Sequence, residues 1–528
     1  MSEFGYIICL KNPFEEAPLL LIKHGDKVYN TDTVEFLDKF EIVVSYDFRW
    51  LIDRLRKKNI VNFPLIYDVT TAKKIITGKP KSNYKSASRP WLLKNILGDA
   101  VSKDSLQWIE EYLQLRTVTP PSKNILVDIL NGFEKVWLQL RKELIDNKED
   151  NRFYEIEVPI YNIFLRTQLK GIQISHKKLN DKLDELKSIQ YSNYKKLELE
   201  FGFVSQKIKM QMKWADVQNY CFHDSIKEDL DYDFWKYAEI FTEYDPFLSA
   251  LVSAHKASID YNALIKYSVD EYSKIYPRFD VMGTVTGRIL VSSPGVQYLK
   301  KTSRSIFEPR DGFVFIYADF DQFEPGIIAS FSKDPKLLEL YNNGDIYCEL
   351  SKLLFGDKDH RKIAKIIFLA FIYGMSKLRL EKFIGSIAGE DSKNKGMAFF
   401  EEFKTLYRWK ESLCNSALTN GYSESVCGNK RYLESKGKIS NQEKRWIPNQ
   451  FIQGTASYIY KKSLIELDKL VKGVNFSIPM HDAILLEVSE KEEIDVKSLV
   501  DRIFCYEFNS VCPEIKASIS FEKFSSEF

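Results

Sequence analysis

The stretch Phe313-Val314-Phe315-Ile316-Tyr317-Ala318-Asp319 decides the fold of this chain, because its aromatic and β-branched residues predict a buried strand that ends at an aspartate. A second aspartate, Asp482, lies between the apolar runs Phe476–Met480 and Ala483–Val488, a pattern that predicts strand, tight turn and strand. Two carboxylates at neighbouring strand ends can hold a pair of divalent cations. With cationic side chains opposite, such a site suits in-line phosphoryl transfer, so we expect the chain to make or break phosphodiester bonds.

The composition describes a folded chain of several domains. At 528 residues there is room for roughly three or four domains of about 150 residues each. The 44% hydrophobic and 14% aromatic content favours folded structure throughout. With 76 basic against 74 acidic residues the net charge is only +2, so binding to nucleic acid would need basic side chains concentrated on particular faces.

The cysteines and apolar runs indicate the compartment. Seven cysteines are scattered without any CxxC pair, which argues against a zinc ribbon or a disulfide scaffold and fits a reducing environment. No run approaches the ~18 apolar residues of a membrane span. We therefore expect a cytoplasmic protein that is not secreted and has no membrane partner.

The hydrophobic periodicity divides the chain into a helical middle between two mixed ends, which predicts an α+β or α/β multidomain protein. In the first 150 residues it predicts a strand at Phe40–Val44 and helices at Phe48–Lys57, Trp91–Gly98 and Lys123–Asn147. In the middle it predicts long helices at Glu155–Lys170 and His176–Glu200. From about residue 280, strands alternate with helices to the C-terminus.

Four residues spaced by four, Arg361, Lys365, Leu369 and Tyr373, form one face of a predicted helix about 18 Å long. Two cations followed by an aromatic ring suit a ligand with a phosphate end and a base end. The alternative is an ordinary amphipathic helix with solvated cations. Residues 363–373 are almost entirely apolar apart from Lys365, and a buried lysine is costly without a partner, so we expect Lys365 to be functional.

Five short motifs follow one another in a fixed order. They read Thr284-x-Thr286-Gly287-Arg288 with Gln297, Asp319-Phe320-Asp321-Gln322-Phe323-Glu324, Arg361-x3-Lys365-x7-Tyr373-Gly374, Arg445-x3-Asn449-x3-Gln453-Gly454-Thr455-Ala456 and His481-Asp482-Ala483. The set resembles the motifs of the family A DNA polymerases, the DNA polymerase I group. The clear resemblance covers roughly residues 281–528, and a weaker one extends over the rest.

The resemblance implies a right-hand polymerase fold with palm, fingers and thumb, preceded by a ribonuclease H-like domain of the exonuclease type. The expected boundaries are 1–151 for the exonuclease-like domain, 152–280 for the mostly helical thumb, 281–345 for the first part of the palm, 346–420 for the fingers and 421–528 for the second part of the palm.

The resemblance also assigns a metal site and a dNTP site. Asp319, Asp482 and the backbone carbonyl of Phe320 would ligate two Mg²⁺ ions, with Mn²⁺ as an expected substitute. Arg361 and Lys365 would hold the triphosphate, and Lys365 would protonate the departing pyrophosphate. Tyr373 would stack at the templating position. Glu324 would crowd the 2′ position of the sugar and, with Tyr373, exclude ribonucleotides.

Primer–template DNA and dNTPs are the implied partners of a chain expected to act as a monomer. Arg288 and Gln453 resemble the family's minor-groove readers, and donors there can test base-pair geometry without reading sequence. The primer–template contacts implied by the resemblance are Arg288, Gln297, Arg445, Asn449, Gln453 and His481.

Three positions depart from the family's pattern. Ala483 replaces the glutamate that usually follows the second aspartate, so a carboxylate that helps to hold the metals is missing. Tyr347 replaces a histidine in the dNTP site, and Leu369 replaces an aromatic residue under the incoming sugar. None of these changes touches the two expected metal ligands, so we expect a working but slower catalyst.

The N-terminal domain resembles the family's 3′–5′ exonuclease in outline only. Asp47 matches one expected carboxylate, but Val43 stands in place of an asparagine and Phe133 in place of an aspartate. The first fifty residues contain no D-x-E. Because metal-dependent hydrolysis needs several converging carboxylates, we expect proofreading to be lost and Asp47 to be a fold residue.

Two alternatives to a template-directed DNA polymerase remain open. A phage-type single-subunit RNA polymerase shares the two aspartates and the Lys/Tyr helix, although Glu324 and the short length argue against it. A catalytically silent DNA-binding protein derived from a polymerase is the other, and the degenerate exonuclease motifs show that catalysis has been lost at one site. The joint presence of Asp319, Asp482, Arg361 and Lys365 argues against that loss at the second site.

Overall fold

The computed structural model describes residues 4–11, 18–31, 33–78, 89–114, 116–208, 212–217, 219–221, 234–267, 273–434 and 437–525. Within these ranges, no helix is both long and apolar enough to cross a membrane. Two sheets of four or more strands, one near each end of the chain, organise the molecule.

The N-terminal sheet has five strands in the order β3-β2-β1-β4-β5. They are β1 Phe4–Leu10, β2 Leu19–His24, β3 Lys27–Thr31, β4 Ile42–Tyr46 and β5 Leu65–Asp68. The first three form an antiparallel meander, whereas β4 and β5 run parallel to β1. The C-terminal ends of β1, β4 and β5 therefore meet at one edge, where polar side chains can gather.

Helices cover this sheet: α1 Ile52–Lys57, α2 Val69–Thr77, α3 Leu93–Leu97, α4 Lys103–Leu113 and α5 Lys123–Asp146. The predicted helices at Trp91–Gly98 and Lys123–Asn147 are confirmed as α3 and α5. The strand predicted at Phe40–Val44 lies two residues later, because Phe40 ends a short 3₁₀ helix and its ring packs on His24. The helix predicted from Phe48 is divided, with a 3₁₀ turn at Phe48–Trp50 before α1.

The middle of the chain is helical, as predicted. Its elements are α6 Asp150–Arg152, a π-helical turn at Phe153–Glu157, α7 Val158–Lys170, β6 Ile172–Gln173, α8 His176–Phe201, α9 Phe234–Ala238, α10 Pro246–Leu264 and β7 Lys274–Ile275. Both long helices are confirmed, although the first begins as the π turn. The Ser175 side chain caps the start of α8, and Gly202 ends the helix in a left-handed conformation. Helices α8 and α10 pack side by side.

The C-terminal sheet has four antiparallel strands in the order β13-β14-β10-β15. The strands of this half of the chain are β8 Arg278–Asp280, β9 Leu290–Ser292, β10 Phe313–Phe320, β11 Tyr422–Glu424, β12 Lys430–Tyr432, β13 Asn475–Pro479, β14 Ala483–Ser489 and β15 Ile519–Glu522. Of these, β10, β13, β14 and β15 form the sheet. The predicted strand, turn and strand around Asp482 are confirmed as β13 and β14.

Nine helices complete the described C-terminal half: α11 Phe323–Ser332, α12 Pro335–Asn343, α13 Ile346–Phe355, α14 Arg361–Ile372, α15 Lys377–Ala388, α16 Glu390–Glu401, α17 Lys404–Asn420, α18 Asn441–Leu470 and α19 Glu493–Val511. Helices α13 to α16 pack on one another. Helix α18 is largely buried and packs against α11, α17 and α19, so the central sheet is backed by long helices. The helix predicted to carry the four-residue spacing is α14.

Candidate active site

The sheet register brings the two opening aspartates together. Asp319, near the end of the central strand β10, pairs directly with Ala483 on β14. Asp482 precedes that alanine, and its carbonyl accepts a hydrogen bond of 3.1 Å from the amide of Phe320. The ring of Phe320 is buried and stacks on Phe323, with 4.2 Å between ring centres, which fixes the end of the strand. The two aspartates therefore lie side by side at one end of the sheet.

The electrostatics of Asp319 suit a cation. Its Oδ1 is buried and has no hydrogen-bond partner in the structure. Burial, and then the nearby Asp482, raises the pKa of the Asp319 carboxyl well above its ordinary range, while Lys365 acts in the opposite direction. A buried carboxylate oxygen without a partner is costly, and oxygen ligands of this kind are those that Mg²⁺ prefers. The residues present therefore fit a divalent metal.

Among the described residues, no third carboxylate completes a metal-binding group with this pair, although Glu522 and Asp321 also contribute to the raised pKa of Asp319. Ala483 faces Asp319 across the sheet, at the position where the family usually carries a glutamate. In the part of the chain that the structure describes, no group of three or more His, Cys, Asp or Glu side chains converges as a metal cluster would. The remaining ligands of a metal here would be backbone carbonyl, water or substrate oxygens, as is common for Mg²⁺.

The two cations of α14 that are predicted to bind the triphosphate face solvent. Arg361 forms an ion pair with Asp345, with 2.6 Å between Nη2 and Oδ2, and both it and Lys365 are exposed. The expectation that Lys365 is buried in an apolar segment is wrong. The helix buries the opposite face, with Ala364, Ile367, Phe368 and Phe371, and so leaves Lys365 outside. Its charge nonetheless opposes the rise in the pKa of the Asp319 carboxyl, which indicates that Lys365 lies near that group.

A buried tyrosine lies beneath the two cations. The centre of the Tyr347 ring is 5.2 Å from the Arg361 guanidinium carbon and 5.7 Å from Lys365 Nζ. Tyr347 packs edge-on against Phe368, and burial raises the pKa of its hydroxyl. A neutral aromatic ring between two cations orients both of them without neutralising either.

Glu324 joins two predicted site residues. It accepts a hydrogen bond from the hydroxyl of Tyr373 through one carboxylate oxygen and forms an ion pair with Arg288 through the other. Burial, and then Glu324, raises the pKa of Tyr373, whereas a hydrogen bond with Gln453 lowers it. The two predicted sugar-selecting residues, Glu324 and Tyr373, are thus in direct contact, and two predicted DNA contacts, Arg288 and Gln453, adjoin them.

A cavity of about 800 Å³ opens beside this group. Leu369, Tyr373 and Arg445 are among the residues that line it. Asn449, one turn further along α18 from Arg445, has a buried side-chain oxygen without a partner. The pKa of His481 is lowered, mainly by burial and then by Arg288. Three of the residues predicted to bind dNTP or template, Leu369, Tyr373 and Arg445, therefore line one cavity.

Gln297 differs from the other predicted DNA contacts because its side chain is buried. Its oxygen accepts from the amide of Val291, and its nitrogen donates to the carbonyls of Ile289 and Pro479. These bonds tie the loop after β9 to the end of β13. The geometry places Gln297 beneath the site, where it supports the backbone.

Two side chains that hold parts of the predicted site in place are not among the residues predicted for it. Asp345 caps the start of α13 through the amides of Tyr347 and Cys348 while its second oxygen holds Arg361. Tyr460 on α18 is buried and donates to the carbonyl of Ala483, under the turn that carries Asp482. Asp345 could have been found, because aspartate is a common N-cap residue. Tyr460 carries no local signal.

The N-terminal sheet carries carboxylates at the corresponding end of its parallel strands. Asp47 follows β4 and accepts from Arg49 at 2.9 and 2.7 Å and from the indole of Trp50 at 2.9 Å. Asp68 ends β5 and accepts from the amide and hydroxyl of Thr71. Phe133 is fully buried in the core. These carboxylates are occupied by the protein itself.

A central sheet that carries paired carboxylates, with a cationic helix facing them, defines the polymerase class of folds. The family model described as DNA polymerase family A matches residues 238–522, more than half of the chain, and the chain belongs to this family. DNA polymerase I of Borreliella burgdorferi is 24% identical over 489 residues, which cover 87% of this chain and 53% of that protein. DNA polymerase I of Lactococcus lactis subsp. cremoris is 22% identical over 546 residues, covering 94% and 60%.

The chain thus spans about half to three fifths of the length of these relatives. Among solved structures, the POL domain of Pol1 from M. smegmatis, in complex with DNA primer-template and dNTP, is similar with a TM-score of 0.75 and 18% identity. The match covers 98% of this chain and 94% of that one. This likeness shows that the two share the polymerase-domain fold.

Proposed function

We propose that this chain is a template-directed DNA polymerase that adds deoxynucleotides to a primer 3′-hydroxyl and does not proofread. The observation that carries the proposal is the pairing of Asp319 and Asp482 at one sheet end, with an unpartnered buried oxygen on Asp319. Family membership supports the same conclusion, and so does the similar fold of a protein solved with primer-template DNA and dNTP.

The fold supports a right-hand layout. The C-terminal sheet with α18 and α19 would form the palm, which comprises residues 281–345 and 421–528. The cluster of α13 to α16 would form the fingers, residues 346–420. The long pair α8 and α10 would form the thumb, residues 152–280. The N-terminal sheet order and its mixed strand directions are typical of a ribonuclease H-like domain, here 1–151.

Asp319, Asp482 and the carbonyl of Phe320 would hold two Mg²⁺ ions. When bound, such ions lower the pKa of the primer hydroxyl and neutralise the triphosphate and the leaving pyrophosphate. Arg361 and Lys365 are exposed and charged, so they can bind the triphosphate oxygens without breaking a buried contact. Lys365, whose charge acts on Asp319, would give a proton to the departing pyrophosphate.

The contact of Glu324 with Tyr373 favours deoxyribonucleotides over ribonucleotides. A carboxylate fixed by two partners cannot move aside for a 2′-hydroxyl, so it excludes that group sterically. This argues for DNA synthesis over the RNA polymerase alternative. Arg288, Gln453, Arg445, Asn449 and His481 are the proposed contacts to primer and template, and Gln297 would act by supporting the backbone beneath them.

Primer extension with dNTPs or NTPs on a DNA template tests the proposal. We expect extension by the wild type with dNTPs only, and in Glu324→Ala a dNTP preference reduced at least about tenfold, equivalent to ~1.4 kcal/mol. Glu339→Ala, an exposed helix residue paired with Lys336, is the matched control and should behave as wild type. Efficient use of NTPs by the wild type would instead favour the RNA polymerase. The absence of any extension would favour the silent DNA-binding protein.

A further inference from the structure

One partly buried lysine near the site has no role in the proposed chemistry. Lys410 on α17 reaches α14 and donates a hydrogen bond of 2.7 Å from Nζ to the carbonyl of Ile372. Its Nζ lies 5.3 Å from the ring centre of Phe371. Burial lowers the pKa of Lys410 to about 8, and no ion pair with it is found within the described ranges. A cation withdrawn from water without an ionic partner needs a compensating interaction.

That interaction is with the end of a helix. The last carbonyls of an α-helix lack partners within the helix and carry its negative end, where a cation is favourable. At the end of α14 the turn supplies most donors, and the Lys410 ammonium supplies the remaining one. The bonds run from Tyr373 N to Leu369 O, from Met375 N to Ala370 O, from Gly374 N to Phe371 O and from Lys410 Nζ to Ile372 O.

The residue that follows this carbonyl is Tyr373, whose hydroxyl contacts Glu324. Gly374 then turns with φ of +84°, and a Cβ placed there would lie 3.3 Å from the Arg445 side chain. The C-terminal end of α14 is therefore held by the partly buried side chains of Lys410 and Tyr373, whereas its other end is held by the exposed pair of Arg361 and Asp345. Exposed pairs contribute little to stability, so the two ends are attached unequally.

We propose that Lys410 is a positioning residue for the nucleotide site: by holding the carbonyl of Ile372 it fixes Tyr373 against Glu324. The inference rests on the proposed function, because the effect is exerted on nucleotide selection. Lys410 itself touches neither carboxylate of the metal site. Its loss should therefore impair nucleotide binding and sugar selection more than turnover.

Three variants separate this role from a general effect on folding. Lys410→Met keeps the alkyl chain against Phe371 but removes the donor, and Lys410→Arg keeps both charge and donor. Lys404→Met removes a charge from an exposed position of the same helix and is the control. For each variant, KM and kcat are measured for dNTPs and NTPs in primer extension, and Tm is recorded.

We expect Lys410→Met to raise the KM for dNTPs about tenfold and to weaken the preference over NTPs, with a smaller change in kcat. Lys410→Arg should retain most of the selectivity, and Lys404→Met should match the wild type. Wild-type KM and selectivity in Lys410→Met would overturn the proposal. A fall in kcat and Tm alone, with unchanged KM and selectivity, would also overturn it.

Hydrogen exchange gives a readout that does not depend on catalysis. The amides of Gly374 and Met375 close the end of α14, so Lys410→Met should exchange them at least about tenfold faster, whereas Lys404→Met should not. If the wild type fails to extend primers, the proposed function fails. The exchange rates still decide whether Lys410 holds this helix end. Unchanged rates in Lys410→Met would overturn that role of Lys410 as well.

Discussion

The molecule contains two sheets that end in carboxylates, and their surroundings differ. In the N-terminal sheet, Asp47 accepts three hydrogen bonds from Arg49 and Trp50. In the C-terminal sheet, Asp319 has a buried oxygen with no protein partner and lies beside Asp482. Fixed donors that occupy most acceptor positions of a carboxylate compete with a metal, whereas an unpartnered oxygen beside a second carboxylate favours a cation. The carboxylates of the C-terminal sheet are therefore the better candidates for metal ligands.

Arg49 also joins this end of the N-terminal sheet to the rest of the molecule. It donates to the carbonyl of Phe279 on β8, at 3.4 Å, and the carbonyl of Arg49 accepts from Gln168 on α7. Close by, the Arg278 guanidinium lies 3.4 Å from the centre of the Trp50 ring. This end of the N-terminal sheet is thus an internal contact surface.

The strongest test of this difference between the two sheets is a substitution of Asp482. We expect Asp482→Asn to reduce primer extension about a thousandfold or more, because bound metal ions contribute several kcal/mol to phosphoryl transfer. Duplex binding, measured by fluorescence anisotropy, should change little. Equal extension by wild type and variant would show that the two aspartates are not the catalytic pair.

Removal of Arg49 tests whether its contact with Asp47 stabilises the N-terminal part of the protein. Arg49→Met leaves Asp47 without its cation, and we expect a loss of about 3 kcal/mol in the stability of the N-terminal unit, measured by urea unfolding followed with limited proteolysis. Arg49→Lys should lose less, since a charge remains. Extension activity below the unfolding transition should persist. Unchanged stability would mean that Asp47 does not depend on this partner.

Thermal unfolding with and without Mg²⁺ tests whether Asp319 is a ligand of the metal. Saturating Mg²⁺ at a hundredfold excess over Kd should stabilise the wild type by about 2.7 kcal/mol, and Asp319→Asn clearly less. Asp311→Asn, an exposed residue, is the control. Equal Mg²⁺ stabilisation of wild type and Asp319→Asn would place the metal elsewhere.

The same variant gives a pH test in EDTA. Because the folded state raises the pKa of Asp319, ionising this carboxyl costs folding stability as pH rises from the ordinary carboxyl range towards the raised pKa. Without metal, Asp319→Asn should therefore be more stable than wild type at pH 8, with the difference shrinking towards pH 5. A difference that grows towards acid pH would contradict the direction of the shift.

The smallest expected effect is on proofreading. End-labelled primer incubated with Mg²⁺ and no dNTP should stay intact with the wild type, and Asp47→Ala should give the same result. The physical reason is that Asp47 is already occupied by Arg49 and Trp50. Progressive 3′ shortening that survives Asp47→Ala would contradict this account of the N-terminal domain.

Several features could be read from the sequence, because they depend on local pattern. The alternating and β-branched runs predicted β10, β13 and β14, and the four-residue spacing predicted α14. The exposure of Lys365 could not be read in this way. An apolar segment shows that one helix face is buried, but only packing decides which face that is.

The sequence by itself determined the family resemblance, the strand ends that carry Asp319 and Asp482, and the absence of a glutamate at position 483, since these depend on residue identity and order. The tertiary structure alone decided which carboxylates are left without partners. It also placed Lys410 at the end of α14 and directed the Gln297 side chain towards backbone groups, with which it forms hydrogen bonds. The physical reason is that hydrogen-bond satisfaction depends on neighbours that are distant in the chain, and these are brought together only by packing.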